Sequence, residues 1–158
     1  MSGPLDIEAE LLLVVDALAI ERVPYALCGG LALAVHGFPR ATKDIDVLVQ
    51  AHQIESAFAA IRKVGFTLRA GPMPLGVGTS NPQRLFRATK VSGGQHLTVD
   101  LLEVSPSYQA AWSSRMTGTF KGRELAVVSR DGLISMKRLS TRNKDRVDLD
   151  TLEGKTDE

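Results

Sequence analysis

Two acidic residues interrupt a short apolar run, Asp44-Ile45-Asp46-Val47, in a segment that otherwise has the composition of a buried strand. Side chains two positions apart on a strand point to the same side. Asp44 and Asp46 therefore face together, about 6–7 Å apart by strand rise, and Ile45 and Val47 face the other way. The alternation predicts a strand at 44–49 with one apolar face and one acidic face.

A pair of glycines precedes this strand. Residues 25–28 form a short apolar run that Gly29-Gly30 closes, and residues 31–36 form a second apolar run. The pattern predicts a strand, a glycine turn and a short helix. Free N–H groups and the positive end of a helix dipole suit phosphate oxygens, and glycine lets a ligand approach the backbone. The alternative is a tight turn whose glycines only satisfy geometry.

The rest of the chain alternates helical and strand patterns. We predict helices at 6–22, 53–64, 106–115, 131–139 and 143–152, strands at 85–91 and 97–104 around Ser92-Gly93-Gly94, a strand-rich segment at 119–128, and a glycine- and proline-rich loop at 71–82. This order predicts an α/β (α+β) fold: one domain over residues 1–158, with a mixed β-sheet and helices packed mainly on one face.

Composition narrows the functional class. The 158 residues carry a net charge of +1, which gives no bulk electrostatic footprint for nucleic acid or an anionic membrane. The single cysteine, Cys28, excludes an intramolecular disulfide and a paired-cysteine zinc motif. The first residues lack the basic start of a secretory signal, and no apolar run approaches the ~20 residues that span a bilayer. These features predict a cytoplasmic protein without a membrane partner.

A third acid, Asp100, stands in a similar setting, within Leu97 to Val104. If its strand neighbours that of Asp44 and Asp46, the three carboxylates form one cluster. Carboxylates so close repel each other, and a divalent cation reverses the sign of that energy. Hard oxygen ligands suit Mg²⁺ or Mn²⁺. The alternative places Asp44 and Asp46 at a solvated strand end, with Asp100 unrelated.

In combination, these motifs resemble the nucleotidyltransferase superfamily, whose members share the DNA polymerase β-like fold. The resemblance lies in Cys28-Gly29-Gly30, in Asp44-Ile45-Asp46-Val47 and in a later strand aspartate, Asp100. The chain is similar to the AbiE-type branch of small bacterial nucleotidyltransferases in the segment GGLALAVHGFPRATKDIDVLV. That branch includes toxins of toxin–antitoxin pairs. The resemblance runs from Tyr25 to about Leu152.

The resemblance implies an enzyme that moves a nucleoside monophosphate from an NTP to an acceptor hydroxyl on RNA, protein or a small molecule. Gly29 and Gly30 would hold the β and γ phosphates. Asp44, Asp46 and Asp100 would be the catalytic residues and would bind Mg²⁺ or Mn²⁺, with Asp100 also available as general base. An antitoxin protein is then among the expected partners, and the base preference and the acceptor are not specified.

Basic residues supply further candidates for nucleotide binding. Arg40 and Lys43 precede the acidic strand and suit phosphate contact, although ordinary loop solvation explains them equally well. Thr42 either orients this loop or contacts a phosphate.

A second set of basic candidates for nucleotide binding, Lys137 and Lys144, lies near the C-terminal end of the sequence. Lys137 is on a predicted helix, and Lys144 follows seven residues later. Lys144 and Asp148 also have the i,i+4 spacing of a surface ion pair, and we assign Asp148 to that structural role.

Two other functional classes stay open. In one, the fold persists without turnover, as a nucleotide-binding or partner-binding module. In the other, Asp44-x-Asp46 serves a metal-dependent phosphohydrolase, but the sequence lacks the histidine–aspartate ligand pairs expected of that chemistry. Label transfer from NTP, binding without transfer, and release of phosphate alone distinguish the three classes.

Overall fold

A computed structural model describes residues 5–39, 41–78, 80, 82–139 and 150–154. The helices are α1 (Ile7–Ile20), α2 (Gly29–Val35), α3 (Ile54–Arg62), α4 (Gln109–Ser113) and α5 (Arg130–Arg138). The strands are β1 (Ala26–Cys28), β2 (Asp44–Val49), β3 (Leu68–Leu75), β4 (Gln83–Ser92), β5 (Gln95–Glu103), β6 (Met116–Phe120) and β7 (Arg123–Val127). Short 3₁₀ turns precede α3 and α4.

All these strands join one mixed sheet in the order β3-β4-β5-β2-β1-β7-β6. β2 runs parallel to β5 and β1 parallel to β7, and the other neighbours are antiparallel. The predicted mixed sheet is therefore confirmed. β2 and β5 lie side by side although β3, β4 and α3 separate them in sequence.

The two faces of the sheet differ in chemistry. On one, the apolar face, Ile45 and Val47 of β2 pair with Val99 and Leu101 of β5, and all four are fully buried. Helix α3 packs on this face: the ring of Phe58 on α3 contacts that of Phe86 on β4 edge to face, with centroids 6.1 Å apart. The opposite face, which we call the acidic face, carries the aspartates of β2 and β5.

Local sequence explains where the elements begin and end. Asp6 accepts a hydrogen bond from the Glu8 N–H at the start of α1, and Ser129 caps α5 by accepting one from the Gly132 N–H. Gly93 and Gly94 both have positive φ and make the turn of the β4–β5 hairpin, as predicted.

The loop predicted at 71–82 is wrong over its first part, because β3 extends to Leu75. Pro72 and Pro74 lie inside this strand, which is at the edge of the sheet and has β4 as its neighbour. An edge strand tolerates proline because one side of its backbone has no strand to bond. The register also shifts between Ala70 and Met73, next to Pro72.

The described residues cover only part of the two helices predicted near the C-terminal end. α5 confirms the helix predicted at 131–139, and most of the helix predicted at 143–152 lies outside the described residues. Over the described part of the chain, no helix is both long enough and apolar enough to span a membrane.

Candidate functional site

The acidic face brings the three predicted aspartates onto adjacent strands. Asp46 on β2 is opposite Asp100 on β5 and opposite Cys28 on β1, and Asp44 is opposite Thr98. Paired residues of neighbouring strands project from the same face. The condition stated from the sequence, that the strand of Asp100 should neighbour that of Asp44 and Asp46, is met.

The three carboxylates differ in environment. Asp44 and Asp46 are half-buried, whereas Asp100 is 4% exposed. The Thr98 hydroxyl donates a 2.7 Å hydrogen bond to Asp44 Oδ1. Thr98 therefore orients Asp44 through a neutral hydrogen-bond donor.

Asp100 has a cationic partner from the neighbouring strand. Arg87 on β4 donates from Nε to Asp100 Oδ1 at 2.7 Å and from a terminal nitrogen to Oδ2 at 3.0 Å. The two residues are opposite each other in the β4–β5 register. This two-pronged geometry is the strongest form of arginine–carboxylate contact. It supplies the charge that makes burial of Asp100 tolerable.

Arg87 also interacts electrostatically with the other two aspartates of the acidic face. The hydrogen bonds to Asp100 raise the pKa of Arg87, and the negative charges of Asp100, Asp44 and Asp46 raise it further. The guanidinium therefore interacts electrostatically with all three aspartates of the acidic face.

Arg87 and Thr98 are site residues that were not predicted from the sequence. A usable signal was present in the hairpin. A two-residue Gly93-Gly94 turn pairs Ser92 with Gln95, and counting outward from that pair places Arg87 opposite Asp100. The assumed Ser92-Gly93-Gly94 turn was one residue too long for this counting.

The glycine turn lies against the acidic face. Gly29 begins α2 with a φ of +69°, and a Cβ there would overlap the carboxylate of Asp46, 2.9 Å from its Cγ. A Cβ on Gly30 would lie 3.0 Å from the side chain of Thr42. Close packing within the protein therefore explains why glycine stands at both positions. Their contact with phosphate stays a prediction.

The loop before β2 is partly described. Thr42 packs on Gly30 and its hydroxyl donates a 3.3 Å hydrogen bond to the carbonyl oxygen of Asp44, which fits the loop-orienting alternative. Lys43 is exposed, and Arg40 lies outside the described residues.

Lys137 is buried on α5, at 8% exposure. Burial raises the pKa of the Cys28 thiol well above its usual range, and the charge of Asp46 raises it further, whereas the charge of Lys137 lowers it. Lys137 therefore lies within electrostatic reach of the β1 end of the acidic face. Lys144 and Asp148 lie outside the described residues.

The ligand atoms on the acidic face suit a hard divalent cation, because Asp44 and Asp46 present carboxylate oxygens there. The placement fits less completely. Among the described residues, no group of three or more His, Cys, Asp or Glu side chains is arranged to hold a metal ion. Asp100 instead gives both its oxygens to Arg87. Asp44 and Asp46 are accordingly the other two predicted metal ligands on this face.

Solved structures of similar fold cover nearly the whole chain. The crystal structure of ANT(2")-Ia in complex with adenylyl-2"-tobramycin matches 92% of this chain and 86% of its own, with a TM-score of 0.61 and 16% identity. A solution structure of the same antibiotic-resistance factor matches 94% and 83%, with a TM-score of 0.65 and 15% identity. TM1012 from Thermotoga maritima matches 92% and 91%, with a TM-score of 0.56 and 15% identity. These likenesses establish the nucleotidyltransferase fold.

Sequence comparison gives the family. None of the curated proteins matches the chain. The model of the family described as nucleotidyl transferase AbiEii toxin, type IV toxin–antitoxin system, matches residues 12–155, which include β1, the glycine turn and all three aspartates. The chain belongs to the AbiEii nucleotidyltransferase toxin family.

Proposed function

We propose that this nucleotidyltransferase transfers a nucleoside monophosphate from an NTP to an acceptor hydroxyl, with Mg²⁺ or Mn²⁺ as cofactor. The observation that carries the proposal is the register of β2 and β5, which sets Asp46 opposite Asp100 beside Gly29. Membership of the AbiEii family supports the reaction class. The cytoplasm is the proposed compartment.

In this reaction the acceptor oxygen attacks the α-phosphorus and the bond to the leaving pyrophosphate breaks. The acceptor proton passes to a base, for which Asp100 is the proposed group. A bound divalent cation would neutralise phosphate oxygens and help the acceptor oxygen to attack. Asp44 and Asp46 are proposed to hold that cation, and Thr98 to orient Asp44 for it.

The remaining polar candidates are proposed to bind the NTP phosphates. The backbone at Gly29 and Gly30 adjoins the acidic face, and Thr42 and Lys43 lie in the loop that leads to Asp44. Lys137 contributes a buried positive charge near Cys28. Arg40 and Lys144 belong to the same proposal on the basis of sequence alone.

The acceptor is proposed to be RNA, a protein or a small hydroxylated molecule. A net charge of +1 argues mildly against tight nonspecific RNA binding. The fold likeness to ANT(2")-Ia, which was crystallised with an adenylylated aminoglycoside, makes aminoglycosides worth including among small acceptors. The toxin family makes growth arrest, relieved by an antitoxin partner, the biological outcome to expect.

The test is transfer of label from each α-labelled NTP, with Mg²⁺, to total RNA, to lysate protein and to aminoglycosides. We expect transfer by the wild-type protein and its loss in Asp46→Asn, which removes one charge with little change of shape. Asp16→Asn is the matched control, because Asp16 lies on α1, has a side chain that is 44% exposed, and pairs with Arg123. Transfer that survives in Asp46→Asn would contradict the assignment.

A binding module without turnover is the second candidate. The observation that favours it is the Arg87–Asp100 ion pair, which occupies the proposed base. Saturable NTP binding with no label transfer to any acceptor would support this candidate over the first.

A further inference from the structure

We propose that Arg87 and a divalent cation compete for Asp100, so that Asp100 becomes a metal ligand only after its ion pair with Arg87 opens. The inference rests on the metal site of the proposed function. It is tested by metal binding alone, so it can fail while label transfer succeeds, and it can succeed while label transfer fails.

The geometry of the pair gives the first reason. Arg87 bonds both oxygens of Asp100, at 2.7 and 3.0 Å, so the arginine fork takes both oxygens at once. A cation that bound the same carboxylate would meet the guanidinium charge within a few ångströms, and like charges repel strongly in a poorly solvated setting. Simultaneous occupancy is therefore unfavourable.

The second reason is that only one partner of the pair can move away easily. The Asp100 side chain is 6% exposed, whereas that of Arg87 is 39% exposed. Asp100 is held in the interior of β5, and the guanidinium can swing toward solvent. The exchange therefore leaves Asp100 in place and moves Arg87.

Asp44 offers an internal contrast. Its Oδ1 accepts a hydrogen bond from the neutral Thr98 hydroxyl, and Arg87 acts on it through its charge, whereas both oxygens of Asp100 are hydrogen-bonded to Arg87. The absence of a three-acid metal group among the described residues agrees with Asp100 being held back. The proposed order of events is then cation entry at Asp44, followed by release of Arg87 and recruitment of Asp100.

The experiment measures Mn²⁺ affinity by electron paramagnetic resonance and calorimetry, without nucleotide. In Arg87→Met, which has a similar length but no charge, we expect Mn²⁺ to bind about tenfold tighter than in the wild-type protein, because Asp100 joins the ligands. Any Mn²⁺ affinity in Arg87→Met that equals or falls below the wild-type value overturns the proposal, and so does failure of both proteins to bind Mn²⁺.

A double-mutant cycle with Asp100→Asn identifies the source of the gain. In the wild-type background Asp100→Asn should change Mn²⁺ affinity by less than about twofold, and in the Arg87→Met background it should abolish the tenfold gain. If the gain survives in the double variant, Asp100 is not the recruited ligand and the proposal is wrong.

Arg84→Met is the matched control. Arg84 is on the same strand and also makes a cross-strand ion pair, through one oxygen of Glu103 of β5, but it projects from the opposite face of the sheet. Its replacement should leave Mn²⁺ affinity unchanged. An equal gain in Arg84→Met would reduce the effect to a change of net charge and overturn the proposal.

Arg87→Lys covers the case in which Arg87→Met does not fold. Lysine keeps the positive charge but cannot bond both carboxylate oxygens in the same planar fork. We expect Mn²⁺ affinity above that of the wild-type protein and below that of a folded Arg87→Met. Affinity no higher than wild type in folded Arg87→Lys, confirmed by circular dichroism, contradicts the exchange.

Discussion

Gly29 is the residue at which backbone conformation and the acidic face meet. Its φ of +69° is a conformation that favours glycine, and the space where a Cβ would stand holds the Asp46 carboxylate. Any other residue here would strain the backbone and also displace Asp46. The two effects can be separated because another glycine of the chain shows only the first.

We expect Gly29→Ala to lower the free energy of unfolding by about 1–2 kcal/mol through backbone strain and also to weaken Mn²⁺ binding by displacing Asp46. Gly37→Ala is the control: its φ is +91°, and a Cβ there would have nothing within 4 Å. It should share the stability loss, measured by urea denaturation, and leave Mn²⁺ affinity unchanged. Equal Mn²⁺ affinity in the two variants would refute the contact argument.

At the scale of elements, helix α1 is tied to strand β4 by a largely buried ion pair. Lys90 donates to Glu10 Oε1 at 2.6 Å and to the carbonyl oxygen of Val64 at 3.1 Å, and the two side chains are 20% and 11% exposed. Removal of one partner leaves the other charge poorly solvated. The pair therefore matters most when it is broken.

We expect Lys90→Met to reduce the free energy of unfolding by about 2 kcal/mol, because the poorly solvated Glu10 carboxyl then loses its hydrogen-bonded partner. Lys63→Met removes the exposed pair between Lys63 and Glu21 and should change stability by no more than about 0.5 kcal/mol. Urea denaturation of both variants measures the contrast. Similar losses in both would show that burial does not set the value of these pairs.

Elements with a clear local pattern could be predicted from the sequence. β2 follows from the alternation of Asp44, Ile45 and Asp46 with their neighbours, and its bounds agree with the prediction. β3 was missed because Pro72 and Pro74 normally break strands, and only its position at the sheet edge makes them tolerable. Edge position depends on the order of all strands, which no local pattern contains.

At the scale of the whole molecule, two buried groups make the free energy of unfolding depend on pH in the alkaline range. Burial raises the pKa of the Cys28 thiol and of the Tyr25 hydroxyl above their ordinary values, and the Ala126 N–H bond to Tyr25 offsets only part of that rise. A group whose pKa is raised by folding holds its proton more tightly in the folded state. Its contribution is present below the unfolded pKa and is lost as pH rises.

We therefore expect the free energy of unfolding to fall as pH rises beyond the unfolded cysteine value of about 8.5. Urea denaturation between pH 7 and pH 10 measures this slope. Because other groups also titrate in this range, Cys28→Ala is the comparison, and its slope should be shallower. Identical slopes for the two proteins would mean that Cys28 does not contribute.

The site could be predicted only as far as its motifs are local. Asp44, Asp46 and Gly29 belong to one continuous segment, and the sequence was enough to connect them. The link to Asp100 depends on the parallel pairing of β2 with β5, and Arg87 enters through the register of a hairpin. The pairing of β2 with β5 is a property of the assembled sheet, whereas the counter-ion of Asp100 was missed because the hairpin turn was assigned one residue too long.

The parallel pairing of β2 with β5 also has a consequence during synthesis. Asp44 and Asp46 leave the ribosome well before Asp100, and β3 and β4 must be made before β5 can settle beside β2. A nascent chain that stops short of β5 has the glycine turn and two of the acids, but it lacks the third. The acidic face is therefore completed only once β5 has been made, and products truncated before β5 lack one of its aspartates.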